Sequence, residues 1–303
     1  MRTKFVSLIT FSITTLLCNI VLAQSKINTT EIWLIDVGNE AGKMQFGKAE
    51  KITDNDHYDN QPFFSRDGKF MYFASMPDTI QSDIYEYNIG KKLIRQVTNT
   101  LESEYQPQPL LSDKNRLSVV RVDLDKAQRF YSIGMDGTDE NPLTENEDSV
   151  AYYCWINDTT NGMLMLDGDH MVFEQFDLVP SQAVILSESS IGRCLQKIPG
   201  ANAMSYIFKK DSVWTLFKYD VDTEEKTEIC ETLKGIEDYC WTFDGKILAA
   251  DKGKLFMWDT KNQIDSKWTQ VADYSKTIGD FYRLAFSPLG NKLAVVSYKG
   301  QRP

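Results

Sequence analysis

The chain has 303 residues, with 43 acidic against 33 basic side chains and a formal net charge of −10 at neutral pH. Phosphate backbones and anionic lipid surfaces repel a protein of this charge, which argues against nucleic acid and anionic membranes as partners. The length is large for one ordinary domain but normal for one ring of repeats.

The first residues have the pattern of a secretory signal peptide. Arg2 and Lys4 give a positive start, residues 5–20 carry no charge, and small residues lie at the usual cleavage spacing up to Ala23. We therefore predict that residues 1–23 are removed as a signal peptide. The mature protein is then expected to be periplasmic or secreted.

An uncleaved anchor helix and a lipoprotein modified at Cys18 are the alternatives to cleavage. The apolar stretch is short for a membrane span, which needs about 20 residues. Leu17 is larger than the residue that normally precedes a lipoprotein cysteine. No other stretch is predicted to span a membrane, and we expect residues 24–303 to form a single domain.

A sequence pattern recurs along this domain with a period in the forties. Each copy has a large apolar residue, a polar turn of the Ser-x-Asp-Gly-Lys type, and an apolar run. Clear copies begin at Phe64, Leu111, Trp241 and Phe286, with spacings of 47 residues between the first two and 45 between the last two. Short apolar strands repeated at this period are typical of β-propeller blades.

The first and second strands of a blade can be identified six times, starting near Asn60, Gln106, Ala151, Ile191, Glu237 and Phe281. The third strand can also be identified six times, at residues 31–36, 83–88, 129–133, 171–177, 213–220 and 254–259. The sequence therefore predicts an all-β, six-bladed β-propeller. The N-terminal outer strands are expected to complete the C-terminal blade and close the ring. A β-sandwich would not explain these complementary half-blades.

The first full blade also resembles a known family. Residues 64–75, FSRDGKFMYFAS, followed by Asp83-Ile84-Tyr85, resemble the WD40-like repeat of TolB-type propellers, and so does Phe286-Ser287-Pro288. The likeness is weaker around residues 244–246 and poor in the middle blades. It implies a periplasmic protein-interaction module, although related propellers accompany peptidases and sugar-acid lyases. TolB has a further N-terminal domain before its propeller, so its own role is not implied.

Four cysteines follow the predicted signal peptide: Cys154, Cys194, Cys230 and Cys240. Cys154 and Cys240 lie in matching repeat positions, each between a tyrosine and a tryptophan. A small buried apolar side chain suits such a position. We therefore expect free, buried thiols rather than disulfides, although four cysteines in an exported protein allow three pairings.

The sequence offers little catalytic or metal-binding chemistry. The alternation of propeller loops predicts His57 and His170 on opposite faces, so we expect no shared metal site and no cofactor. No GxSxG, HExxH or P-loop motif occurs. Residues 54–60 resemble a calcium loop in composition but lack its Gly and distal Glu, so calcium remains only an alternative.

The loops that lead into the first strands, called entry loops below, combine carboxylates with aromatic side chains. By topology they share one face and are expected to surround the channel mouth. Acidic turns that only keep the protein soluble are the alternative. A recognition face for a basic or cationic partner would use these side chains: Asp56, His57, Tyr58, Asp59, Glu102, Glu104, Tyr105, Glu147, Asp148, Glu237, Asp238, Tyr239, Asp280 and Tyr282.

Two functions remain open from the sequence. The favoured one is an exported, non-catalytic propeller that binds a protein partner in the cell envelope. The alternative is a hydrolase or lyase acting on a glycan or peptide at the channel mouth, with carboxylates such as Glu104 and Asp59 in acid/base roles. A deep pocket with perturbed carboxylates would favour the enzyme, and a flat solvated rim would favour the binding protein.

Overall fold

Antiparallel strands account for all the regular structure in the described part of the chain. The computed structural model describes residues 29–78, 80–144, 149–166, 170–175, 182–186, 190–261 and 266–299. The predicted signal peptide and the predicted site residues Glu147 and Asp148 lie outside these ranges. Within them, no helix is long and apolar enough to cross a membrane.

Within the described residues, twenty-four strands form six four-stranded sheets, which are the blades of a propeller. Blade 1 contains β3 (Tyr58–Phe64), β4 (Phe70–Met76), β5 (Asp83–Asn88) and β6 (Leu93–Gln96). Blade 2 contains β7 (Ser103–Pro109), β8 (Arg116–Val122), β9 (Gln128–Gly134) and β10 (Asn141–Pro142). Blade 3 contains β11 (Val150–Trp155), β12 (Thr160–Met165), β13 (His170–Gln175) and β14 (Gln182–Leu186).

The remaining three blades follow the same plan. Blade 4 contains β15 (Gln196–Lys197), β16 (Ala203–Lys210), β17 (Val213–Asp220) and β18 (Lys226–Glu231). Blade 5 contains β19 (Tyr239–Trp241), β20 (Lys246–Asp251), β21 (Lys254–Asp259) and β22 (Thr269–Asp273). Blade 6 contains β23 (Phe281–Phe286) and β24 (Lys292–Tyr298), joined by β1 (Thr30–Glu40) and β2 (Lys43–Lys51).

Blade 6 closes the ring with strands from both ends of the described chain. β1 pairs antiparallel with β24 from Thr30 opposite Tyr298 to Asp36 opposite Lys292. β1 also pairs with β2, which completes the four-stranded sheet. The predicted six-bladed ring and its closure are therefore confirmed, and the edge of β24 is covered.

The hydrophobic core lies between neighbouring blades. Tyr72 and Ile84 of blade 1, for example, pack in one buried cluster with Leu117, Val119 and Ile133 of blade 2. Alternate residues of each strand point to one face of its sheet, so every blade presents apolar side chains to both neighbours. This packing fixes the six innermost strands around a central channel.

Hydrogen bonds between blades reinforce this packing near the channel. The hydroxyl of Tyr153 in blade 3 lies 2.9 Å from Ser118 Oγ of blade 2. The indole nitrogen of Trp155 donates to the same oxygen at 2.8 Å. The same arrangement recurs two blades further on, in Tyr239, Trp241 and Ser205. The Tyr-Cys-Trp repeats of the sequence are therefore buried contacts between blades.

Candidate functional site: a cavity in the central channel

A cavity of about 300 Å³ lies in the channel and is lined by residues of all six blades. The lining comes from the C-terminal half of the innermost strand of each blade. It continues into the turn between the first and second strands at Arg66, Leu111, Pro199 and Pro288. The cavity therefore opens on the face formed by these turns, called the turn face below. The entry loops lie on the opposite face.

Each blade contributes one side chain to a ring at the inner end of the cavity, at sequence spacings of 41 to 46 residues. We call this set the channel ring; it consists of Gln61, Gln106, Tyr152, Arg193, Asp238 and Arg283. The spacing is the blade period, so the ring follows directly from the repeat. Its members differ in charge from one blade to the next.

Glutamines from blades 1 and 2 form part of the neutral side of the ring. Gln61 and Gln106 have φ angles of 56° and 55° and lie at bulges of β3 and β7. A bulge redirects a side chain, here toward the next blade. Gln61 Oε1 accepts a hydrogen bond from the Gln106 backbone nitrogen at 2.8 Å, and Gln106 Nε2 donates to the Tyr153 carbonyl at 3.2 Å.

The charged side of the ring comes from blades 4 to 6. Arg193 Nη2 donates to Asp238 Oδ2 at 2.6 Å, and Arg283 Nε donates to Asp238 Oδ1 at 3.3 Å. Burial alone would raise the pKa of Asp238, but the charges of Arg283 and Arg193 outweigh it and hold that pKa below its ordinary value. Asp238 is therefore a carboxylate shared by two guanidinium groups.

The walls and mouth of the cavity are mostly apolar. Trp155, Trp241 and Phe286 line it. Phe243, which is 57% exposed, stacks on Phe286 with ring centroids 6.4 Å apart. Phe63 is 38% exposed and also lines the cavity. Exposed aromatic side chains therefore extend the apolar lining onto the turn face.

The structure does not place the predicted acidic residues at this mouth. Asp238 and Tyr239 are the members of the predicted set that line the cavity, and both are buried. Asp59 and Glu104 are also buried, with no exposed surface. Asp59 Oδ2 accepts a hydrogen bond from Asn55 at 3.0 Å. The sequence pattern shows carboxylates but not the partners that other segments supply, which is why these side chains were expected on an accessible recognition face.

Glu104 lies behind the channel wall, between two threonines. Thr100 Oγ1 donates to one carboxyl oxygen at 2.5 Å, and Thr98 Oγ1 donates to the other at 3.0 Å. Burial raises the pKa of Glu104 to about 8, although these hydrogen bonds oppose the rise. The carboxyl does not line the cavity.

The other predicted residues lie on the entry face with varied exposure. Asp56 is exposed and pairs with Lys299 at 2.6 Å. Glu237 is largely buried and pairs with Lys209 at 2.6 Å. His57 Nε2 lies 3.4 Å from Asp59 Oδ1. The remaining members are buried or half-buried: Tyr58, Glu102, Tyr105, Asp280 and Tyr282.

The two histidines are not on opposite faces, which corrects the sequence prediction. The register pairs Val150 with Met165 and Met165 with His170, so the backbone of His170 lies level with the start of β11. That level is the entry face, where His57 also lies. The prediction was wrong because the loops that precede the first and the third strand of a blade share a face.

Carboxylates in residues 54–60 pair with lysine side chains of the protein. Lys51 lies 3.1 Å from Asp54, and Lys299 reaches Asp56. In the part of the chain that the structure describes, no three His, Cys, Asp or Glu side chains gather closely enough to hold a metal ion.

The cysteine prediction is confirmed. Cys154, Cys194, Cys230 and Cys240 are all buried free thiols. Burial raises the pKa of the Cys154 and Cys194 thiols to about 12. A thiol with so high a pKa is a poor nucleophile at neutral pH, so these cysteines act as apolar packing residues.

The arginines of the channel ring were not among the site residues predicted from the sequence. Arg193 and Arg283 lie 45 residues before and after Asp238. That spacing equals one blade period, so overlaying the repeats would have placed all three side chains at the same level. The residues predicted from the sequence lie in the acidic entry loops, whereas the cavity is lined by the strands that these loops precede.

Comparison with known proteins supports the fold. No family model and no curated protein matches the chain. A TolB structure from Agrobacterium tumefaciens matches with a TM-score of 0.66 at 14% identity, covering 90% of this chain and 99% of that one. An oligogalacturonate lyase from Vibrio parahaemolyticus matches with a TM-score of 0.54 at 14% identity, covering 87% and 85%.

YCF48, in a structure bound to D1 peptide, matches with a TM-score of 0.53 at 15% identity, covering 84% of each chain. At such identities a structural likeness establishes the fold and leaves the activity open. One of these proteins is a lyase and another is bound to a peptide, so similar scaffolds serve different activities. The chain is therefore a TolB-like β-propeller in its fold.

Proposed function

We propose that the chain is an exported, non-catalytic β-propeller that binds a protein partner through its turn face. Export follows from the predicted signal peptide and would place the partner in the cell envelope or outside the cell. The observation that carries the proposal is a cavity of about 300 Å³ whose mouth is bordered by exposed aromatic side chains. Apolar surface around a concave site is typical of protein-binding surfaces.

The described lining of this cavity lacks a pair of carboxyl groups for acid/base chemistry, which supports binding over the hydrolase or lyase alternative. A general acid or base needs a pKa near the working pH and must reach the substrate. Among the described lining residues the one carboxyl is Asp238, whose pKa is held low. Glu104 has a raised pKa but lies outside the cavity.

Site-specific photo-cross-linking tests the proposal. A benzophenone amino acid at Phe243 on the turn face is expected to give one discrete cross-linked product in cells that export the protein. The same residue at Leu101, an entry-loop position that is 77% exposed, serves as the control and is expected to give none. Cross-linking from Leu101 alone, or equal products from both positions, would contradict a turn-face binding site.

A further inference from the structure

The cavity is positively charged although the protein as a whole is acidic. Its described lining contains the cationic side chains Arg66, Arg193, Lys197 and Arg283, with Asp238 as the one carboxylate among them. The chain carries a formal charge of −10. A concave site of opposite sign to its surroundings attracts and retains an anionic group. This polarity is opposite to the basic or cationic partner that the entry loops suggested.

The positive charge is concentrated at the inner end of the cavity. The Asp238 carboxylate neutralises one of the two positive charges of Arg193 and Arg283. Glu237 lies 3.7 Å from Arg193 Nε but also binds Lys209, so three cations face two carboxylates. Burial would lower the pKa of Arg283, yet Asp238 raises it well above its ordinary value, so Arg283 stays charged. One positive charge remains for a ligand.

The inner end of the cavity is closed toward the entry face. Arg283 Nη1 donates to Asn60 Oδ1 at 3.2 Å, and Asn60 Nδ2 donates to Tyr282 Oη at 2.6 Å. The Arg283 guanidinium carbon lies 5.9 Å from the ring centroids of both Tyr152 and Tyr282. Tyr282 and Asp238 are almost fully buried. A chain that enters from the turn face therefore meets a floor and cannot pass through.

A blind cavity suits the end of a chain better than its middle. An internal segment would have to enter and return through the same mouth, and a cavity of about 300 Å³ is at the small end of the range for ligand sites. A C-terminus needs one passage and ends in a carboxylate, which two guanidinium groups can bind with charge-assisted hydrogen bonds. Trp155 and Trp241 lie beside that path.

The apolar mouth favours a peptide over a free small acid. Phe243 and Leu289 are 57% and 59% exposed and belong to turns of neighbouring blades. Phe243 packs over Gly290, and Leu289 packs over Gly68. A small acid held at the floor would leave these side chains in water, whereas a peptide leading out of the cavity would cover them.

We propose that the cavity binds the C-terminal carboxylate of a partner peptide, with Arg283 and Arg193 as its ligands and Trp155 and Trp241 beside the last side chain. This inference rests on the proposed binding function and names the part of the partner that is recognised. The aromatic side chains at the mouth contact the preceding residues of the peptide.

Peptide selection provides the test. A pool of random N-acetylated tetrapeptides with free C-terminal carboxylates is passed over the full mature protein, and retained sequences are remade as free acids and as C-terminal amides. We expect the acids to bind and the amides to bind roughly tenfold more weakly or worse, because the amide loses a charge-assisted interaction. No retained acid, or equal binding of acid and amide, would overturn the inference.

Two variants test whether Arg193 binds the C-terminal carboxylate directly. Arg193→Gln is expected to weaken the best free acid by roughly tenfold while leaving its amide unchanged. Lys114→Gln, an exposed position in a blade 2 turn outside the cavity, makes the same change of charge and is expected to have no effect. Equal loss in both variants, or none in Arg193→Gln, would contradict direct capture by Arg193.

The tests separate this inference from the proposed function. If no free acid binds but Phe243 still cross-links one protein, the carboxylate site is wrong and the turn-face binding site stands. If neither occurs, both are wrong. If acidic side chains are selected and amidation has no effect, an internal acidic segment replaces the C-terminus, and the inference as stated fails.

Discussion

Asp238 shows how a residue's neighbours decide what its charge can do. In the sequence it belongs to an acidic entry loop, next to Glu237. In the fold it is buried between Arg193 and Arg283, which come from the blades on either side. A carboxylate in this setting positions guanidinium groups and does not itself present negative charge to a partner. The net charge at the inner end of this channel therefore depends on how Asp238 pairs with residues of the adjacent blades.

Glu104 gives a prediction at this scale, the pH dependence of stability. Its pKa is raised by burial from 4.5 to about 8, so the folded state retains a proton that the unfolded chain releases. The stabilisation from the neutral carboxyl is complete below about pH 4.5 and is lost as the pH rises toward 8. Glu104→Gln, which does not titrate, should lose less stability than the wild type over this range.

Thermal unfolding at several pH values measures the effect. The melting temperature of Glu104→Gln relative to the wild type is expected to increase steadily from pH 5 to pH 8. Glu228→Gln, at an exposed glutamate, serves as the control and should show no such trend. A constant difference between Glu104→Gln and the wild type across the range would argue against a neutral, buried Glu104.

At the scale of elements, the sequence predicted third strands better than first strands. The predicted bounds match β5, β17 and β21 at both ends. These strands are bounded by polar turns, so their ends are marked locally. β15 has two residues and β19 has three, and blade packing rather than local pattern holds them. The cavity could not be placed in advance, because the bulges at Gln61 and Gln106 are not visible in composition.

The turn between β9 and β10 gives a prediction about contact between blades. Gly137 has a φ of 80°, and a Cβ there would lie 1.9 Å from the Val97 carbonyl oxygen of blade 1. Gly245 has a φ of 84° with nothing within 4 Å of its Cβ position. Both alanine variants should lose about 1–2 kcal/mol from the left-handed backbone. Gly137→Ala should lose about 1–3 kcal/mol more, because backbone must move.

Urea unfolding of both variants separates the two contributions. The decrease in the free energy of unfolding from the wild type to Gly245→Ala gives the cost of the left-handed backbone conformation alone. The further decrease in the free energy of unfolding in Gly137→Ala then measures the contact between blades 1 and 2. Equal losses in the two variants would mean that the turn can move away from Val97 without cost.

At the scale of the whole molecule, stability depends on closing the ring. β1 contributes the buried side chains of Ile32, Leu34 and Ile35 and covers the edge of β24. A chain that begins at residue 54 loses this cover and leaves an exposed strand edge, which promotes aggregation. We expect this shortened chain to melt well below a chain of residues 24–303 and to associate in solution.

Complementation checks that closure itself is responsible. A synthetic peptide of residues 29–53 should bind the shortened chain and raise its melting temperature, and a scrambled peptide of the same composition should not. Light scattering would report the accompanying loss of association. A shortened chain that is monomeric and as stable as the chain of residues 24–303 would show that closure contributes little.

The channel ring also limits how a ligand can be oriented about the propeller axis. The backbone repeats six times, but Arg193, Asp238 and Arg283 occupy three consecutive blades, and uncharged side chains occupy the other three. A nearly sixfold scaffold thus carries a one-sided electric field across its channel. A bound anion would be drawn toward blades 4 to 6, so that the remainder of the ligand leaves the cavity in one rotational setting out of six.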